Sequence, residues 1–273
     1  GSAGSGGSGA SGGSGGGTGG STVGGGGSGG TGGGGVVTPW FDDAYGKRRK
    51  LSFGSQTESL TEFPVLVTLD ASRITYGLLQ PTGEDLRFVA SDSTAVLSYE
   101  IETWDPNGVS IVWVKVPVIA SASPSEHMWM YYANPSASDA QNAAETWSPG
   151  YAAVWHMTPS LSDSTANAND GTDGGTAGDQ GMIGAARRFD GIASYVDVGS
   201  GATIDNLFAL GGTASAWIRP STWGGNSLGR ILDKSTSTGS AQGWSLLVDG
   251  AASLPNEQAS FVRRVETGNH GWD

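Results

Sequence analysis

Leu97-Ser98-Tyr99-Glu100-Ile101-Glu102-Thr103-Trp104, then Asp105-Pro106-Asn107-Gly108, then Val109-Ser110-Ile111-Val112-Trp113-Val114-Lys115-Val116-Pro117-Val118: this stretch decides the fold class. Pro106 presets one turn dihedral and Asn107-Gly108 accepts a positive φ, so the centre is a tight turn. Both flanks are rich in β-branched and aromatic residues, which predicts a β-hairpin. The second flank is apolar on both pleat faces, as expected of a central strand covered on each side. Working outward, Lys50-Leu51-Ser52-Phe53, residues 63–69, Asp85-Leu86-Arg87-Phe88-Val89 and residues 126–133 read as further short strands, with Pro64 tolerable only near a strand start. Residues 138–147 are the one plausible short helix. An all-β sandwich over residues 36–149 is the economical reading.

Residues 150–273 continue in the same style with more glycine. Ala152-Ala153-Val154-Trp155-His156-Met157 reads as a strand, and a long polar loop follows over residues 162–181. Residues 194–198, 213–218, 231–234, 243–249 and 258–265 have strand composition, and no segment has helical period. The expectation is therefore two jelly-roll-like sandwiches. Residues 1–35 cannot join either one. They are Gly, Ser, Thr and Ala with the single exception Val23, and glycine loses the most backbone entropy while burying no side chain. Such an arm is either a flexible tether spanning roughly 30–35 Å or an extended element held in an assembly and reaching on the order of 100 Å. The arm thus points to a homo-oligomer or larger assembly.

The formal net charge is −12 and the pI about 4.5, which argues against a nucleic-acid partner, since phosphate binding needs clustered Lys and Arg. One basic run, Lys47-Arg48-Arg49-Lys50, leads into Leu51 and reads as the solvated start of a strand. With no cysteine, disulfides, thiolate metal sites and a Cys nucleophile are excluded. No apolar run reaches the length of a membrane-spanning helix. Low Lys with abundant Ser, Thr, Gly and Trp is the composition of an exported β-protein at the extracellular or cell surface, or on a virion.

Trp40-Phe41-Asp42-Asp43-Ala44-Tyr45-Gly46, Phe63-Pro64-Val65-Leu66-Val67, Asp85-Leu86-Arg87-Phe88, Tyr99-Glu100-Ile101-Glu102-Thr103-Trp104, Val112-Trp113-Val114-Lys115-Val116-Pro117 and Met130-Tyr131-Tyr132-Ala133-Asn134-Pro135 stand in this order. Over residues 36–147 they resemble the family called domain of unknown function 2341. That resemblance implies a β-sandwich in exported bacterial, archaeal or phage proteins, and implies no activity. Val154-Trp155-His156-Met157, Asp163-Ser164-Thr165, Asn169-Asp170-Gly171-Thr172, Phe189-Asp190-Gly191 and Ala214-Ser215-Ala216-Trp217-Ile218 resemble a laminin-G-like, concanavalin-A-like sandwich. Such sandwiches continue past a segment like His270-Gly271-Trp272-Asp273, so the resemblance implies further strands, from a longer chain or a neighbouring molecule.

Candidate sites are few. Glu100 and Glu102 share one face of a predicted strand, an arrangement superficially like glycosidase carboxylates; solvent-facing glutamates are the plainer reading. Asp163, Asn167, Asn169 and Asp170 offer oxygen ligands within one loop, a pattern that admits calcium and equally an ordinary Asx-rich loop. His156 reads as a strand histidine and not a base. Trp40, Trp104, Trp113, Trp147 and Trp217 read as core, whereas Trp223, between Thr222 and Gly224, could stack on a sugar ring. No nucleophile elbow, phosphate loop or dinucleotide fingerprint is present. The leading expectation is a non-catalytic exported surface or fibre protein acting in adhesion or assembly. A carbohydrate-binding module, with or without calcium, and a phage fibre or decoration protein are the alternatives.

Overall fold

The computed structural model describes residues 39–123, 126–208, 211–222, 228–235, 243–249, 258–265 and 268–272. These belong to one unit, Thr38–Asp273. The arm of residues 1–35 lies outside the described residues, as does Trp223. The fold is all-β, and every strand ladder among the described residues is antiparallel.

The first half is a sandwich. One sheet takes the order β1 (Lys47–Ser52), β7 (His127–Tyr132), β3 (Arg87–Ala90), β4 (Val96–Leu97); the other takes β2 (Leu60–Leu69), β6 (Ser110–Ile119), β5 (Tyr99–Thr103). Alternation sends Met128, Met130, Phe88 and Leu97 inward from the first sheet to meet Val67, Leu69, Tyr99, Val112 and Val114 from the second, all buried. Each such side chain contributes about 1.5–3 kcal/mol through burial, and Phe88 packs on Tyr99 at 5.3 Å between ring centroids. The Asp105–Gly108 turn joins β5 to β6 as the sequence predicts. The expected single strand over residues 97–104 divides at Ser98, so that β4 pairs in one sheet and β5 in the other.

Both β1 and β2 are edge strands, and each is blunted against pairing with another chain. In β2, Glu62 has a left-handed φ of 49° and drops out of the ladder opposite Pro117, with no shift of register. Pro64 stands opposite Lys115, whose N–H runs instead to Ser98 O. Residues opposed in an antiparallel ladder exchange both bonds or neither, so Pro64 turns its missing donor toward the open edge. In β1 the protection is charge, four consecutive cations.

Beyond residue 170, β8 (Thr172–Gly174) pairs with β11 (Tyr195–Asp197), and β9 (Ala177–Gln180) with β10 (Ala185–Arg188), forming one long interrupted hairpin. A short helix, α2 (Ala202–Asp205), precedes a meander of β12 (Leu228–Ser235), β13 (Gly243–Asp249), β14 (Gln258–Val265) and β15 (Gly268–Trp272). Several expectations are corrected. Residues 152–157 form no strand, only the isolated bridge Trp155–Asp163. Residues 213–218 enter no ladder, and Trp217 is 76% exposed instead of buried; Gly211-Gly212 before them and Pro220 after them interrupt pairing, and alternate Ala and Ser supply little to bury. The helix expected over residues 138–147 is reduced to α1 (Ala143–Thr146), capped by Asn142 Oδ1, which accepts from Glu145 N at 3.0 Å.

Candidate functional site

The outer face of the β2–β6–β5 sheet carries Trp113 and Lys115 from β6 and Glu100 and Glu102 from β5. Glu102 is the unpaired residue of a register shift between Ile101 and Thr103. A bulge of this kind re-aims side chains at a sheet edge. Contrary to the solvent-facing reading, both glutamate side chains are largely withdrawn from solvent: those of Glu100 and Glu102 are 14% and 2% exposed. The chain after α1 folds back over them.

His156 fills the space between the two carboxylates. Its Nε2 lies 3.0 Å from Glu100 Oε2 and its Nδ1 3.2 Å from Glu102 Oε2. Trp147 Nε1 and Ser164 Oγ donate to Glu100 at 2.6 Å each, and Trp113 Nε1 donates to Glu102 Oε2 at 2.7 Å. The imidazole lies nearly parallel to the Trp113 ring, 20° between planes, and Trp113 and Trp147 pack at 5.2 Å. His156 is therefore not a strand histidine but the centre of a buried ion cluster. Burial alone would push its pKa down; hydrogen bonds to Glu100 and Glu102 and their negative charges outweigh that and raise it to about 9. Burial pushes Glu100 up, but bonds from His156, Ser164 and Trp147, with the His156 charge, hold it below the usual carboxylate range. At neutral pH the imidazole is charged and donates from both nitrogens, which leaves it no lone pair to act as a base.

Asp163 organises the loop that delivers His156 and Ser164. Its Oδ1 accepts from Val154 N and Thr165 N, and its Oδ2 from Thr165 Oγ1, Asn169 N and Asn169 Nδ2, at 2.9 to 3.3 Å. Asp170 Oδ1 accepts from Asp163 N at 2.9 Å, and Asn167 and Asn169 both donate to Ala152 O. The structure thus brings Asp163, Asn167, Asn169 and Asp170 together, as the calcium expectation requires. A carboxylate has about four lone-pair sites, and five donors occupy those of Asp163, so Asp163 has no oxygen site left over for a cation in this arrangement. Among the described residues no cluster of three or more His, Cys, Asp or Glu could hold a metal.

The sequence pairs Glu100 with Glu102 on one strand face but gives no sign that His156 meets them. The one local signal was two carboxylates on one strand face beside a Trp-rich neighbour, which is ambiguous without the return of the chain.

Residues 82–169 match the family described as Domain of unknown function (DUF2341). The matched stretch begins before β3 and ends within the Asp163 loop, so it includes Glu100, Glu102, His156 and Asp163; the segments around Trp40 and Phe63 precede it. No curated protein matches the chain, and no solved structure matches it. No helix among the described residues is long and apolar enough to cross a membrane.

Proposed function

We propose that this chain is a non-catalytic, exported surface or fibre protein that works in adhesion or assembly through its β-sandwich surfaces, on a cell or on a virion. The observation that carries this reading is the closure of the Glu100–His156–Glu102 cluster upon itself. It is the most enzyme-like constellation among the described residues, yet its carboxylates and imidazole engage one another and two tryptophan N–H groups. General acid–base work needs a group that can reach a substrate proton, and here Glu102 is buried beneath the returning chain. The cluster acts as a clasp. The half beyond residue 170 is read as a laminin-G-like or concanavalin-A-like sandwich serving recognition, and the glycine-rich arm as the element that brings copies together. Light scattering on the purified chain over a wide concentration range tests the assembly reading: higher oligomers that vanish when residues 1–35 are removed support it, and a strict monomer throughout refutes it.

A further inference from the structure

We propose that β1 and the two tryptophans beside it form a binding site for an anionic polysaccharide, a chain of uronic-acid sugars. The argument begins with charge. Six cations elsewhere, Arg73, Lys115, Arg187, Arg219, Arg230 and Lys234, each lie against a carboxylate. Arg188, outside β1, and the run in β1 differ. Lys47, Arg49 and Lys50 have no carboxylate, hydrogen-bond or ring partner among the described residues, in a chain with 26 acidic residues and a net charge of −12.

The second element is aromatic. The Arg48 guanidinium lies 5.0 Å from the Trp40 ring centre and 4.4 Å from that of Trp129, and it donates to Pro39 O and Tyr131 OH. This fixes both indoles on the outer face of the β1–β7–β3 sheet, where register also places Lys50 beside Trp129. Trp40, which sequence reasoning assigned to a core, is 41% exposed. Alternation along β1 puts Arg48 and Lys50 on this outer face, opposite Tyr131 and Trp129, and Lys47 and Arg49 on the other, opposite Tyr132 and Met130, so positive charge flanks both sides of an open sheet edge and Lys50 is the unpaired cation on the indole side. Pyranose rings offer apolar C–H faces to indoles, and a uronate adds a carboxylate on each sugar for Lys and Arg to meet. The like charges of β1 repel a second copy of the same strand and attract an acidic chain. Nucleic acid is the weaker fit, because its denser phosphate charge meets an otherwise acidic protein.

This inference does not depend on assembly through the arm, and one can fail while the other stands. Its test is binding of the full chain to immobilised polygalacturonate, with dextran and single-stranded DNA as comparisons. Expected are retention by polygalacturonate that weakens with added salt, none by dextran, and at least ~10-fold weaker binding for Lys47→Gln/Arg49→Gln/Lys50→Gln. Trp40→Ala is expected to weaken binding about fivefold at unchanged charge, on the scale of one ring contact. Should the triple variant fail to fold, Lys50→Gln alone still has to weaken retention. Absent retention, or equal retention by the charge variants, overturns the proposal. DNA bound as tightly as polygalacturonate, with no effect of Trp40→Ala, overturns it too, leaving a sugar-blind cationic patch.

Discussion

Replacing His156 with Phe keeps a flat ring against Trp113 and deletes both N–H groups that hold Glu100 and Glu102. The structure sets the size of the loss. A histidine held at about 9 in the fold and near 6.5 in the unfolded chain contributes ~3 kcal/mol at pH values below both. Breaking a buried pair by removing one partner costs roughly 3–5 kcal/mol, because a buried charge is left uncompensated. Glu102, 2% exposed with only Trp113 Nε1 still donating to it, is that charge. His156→Phe is therefore expected to lower unfolding free energy by about 3 kcal/mol at pH 7 in urea titrations followed by tryptophan fluorescence. Adding Glu100→Gln and Glu102→Gln should recover much of it, since no unpaired charge then remains. The pH profile gives an independent check. Because the histidine pKa is raised by folding, its contribution is complete below about pH 6.5 and declines as pH rises through about 9. Glu100, held low, contributes above its unfolded pKa and loses that contribution as pH falls through its lower folded value. Wild type should weaken between pH 6.5 and 9 while His156→Phe stays flat there. A loss under ~0.5 kcal/mol, the size of an ordinary surface change, with identical profiles for the two proteins would refute the clasp.

Gly184→Ala should destabilise by more than about 2 kcal/mol in the same titration, since Gly184 has φ 59° and a Cβ there would run into Glu102 Oε1; a neutral outcome would mean that this turn does not press on the cluster. Asp163→Ala removes the acceptor for five donors, so amide exchange at Val154, Thr165 and Asn169 should accelerate at least ~10-fold, the equivalent of ~1.4 kcal/mol; unchanged protection would contradict the loop account. Millimolar calcium should leave the thermal midpoint within ~1 °C of that in chelator, because ligand-linked stabilisation requires free oxygen ligands in the native state; a clear rise would restore Asp163, Asn169 and Asp170 as ligands. Arg48→Met should reduce stability by ~1–2 kcal/mol through loss of the two indole contacts and the bonds to Pro39 and Tyr131, measured by thermal denaturation; no change would show that Tyr131 and Trp129 hold that face without it.

What was legible in the sequence followed from local signals. The Asp105–Gly108 turn and the apolar flanks were enough to predict β5 and β6, because turn chemistry and strand period act over a few residues. The run Lys47–Lys50 marked the start of a strand, as β1 is, whereas Pro64 lies inside β2 and not at its start, which the edge position of β2 makes tolerable. The division at Ser98 was not legible: Leu97 and Tyr99 both point into one core from different sheets, and no dipeptide signal marks such a crossing. The burial of Glu100 and Glu102 was hidden for a deeper reason. A carboxylate on a strand face is solvated unless something distant covers it, and the covering groups, Trp147, His156 and Ser164, lie 47 to 64 residues away. Asp163 was noticed as a possible ligand for the same feature that makes it a hub, a short side chain with two acceptors in a polar loop; only the count of amide donors separates the two roles. In residues 213–218 composition alone named a strand, but pairing needs a partner edge as well as suitable residues.

The contacts across Pro149 bear on where the first folded module ends. A boundary at 149/150, the natural reading from composition, cuts between Glu100 and the groups that neutralise it. Removing residues after 149 would leave Glu100 with Trp147 alone and Glu102 with Trp113 alone, two carboxylates on one sheet face without their cation. The family match independently runs on to residue 169, the last residue whose backbone N–H is held by Asp163. Asp163 closes residues 154–169 into a loop that presents one imidazole and one hydroxyl to the sheet, and the next residues turn into β8 and a separate hairpin. The segment after Pro149 therefore completes the outer face of the first sandwich, capping its buried charges as a strand would cap its unpaired backbone. On this view the clasp holds residues 154–169 on the outer face of the first sandwich, so weakening His156 should loosen that loop from the sheet.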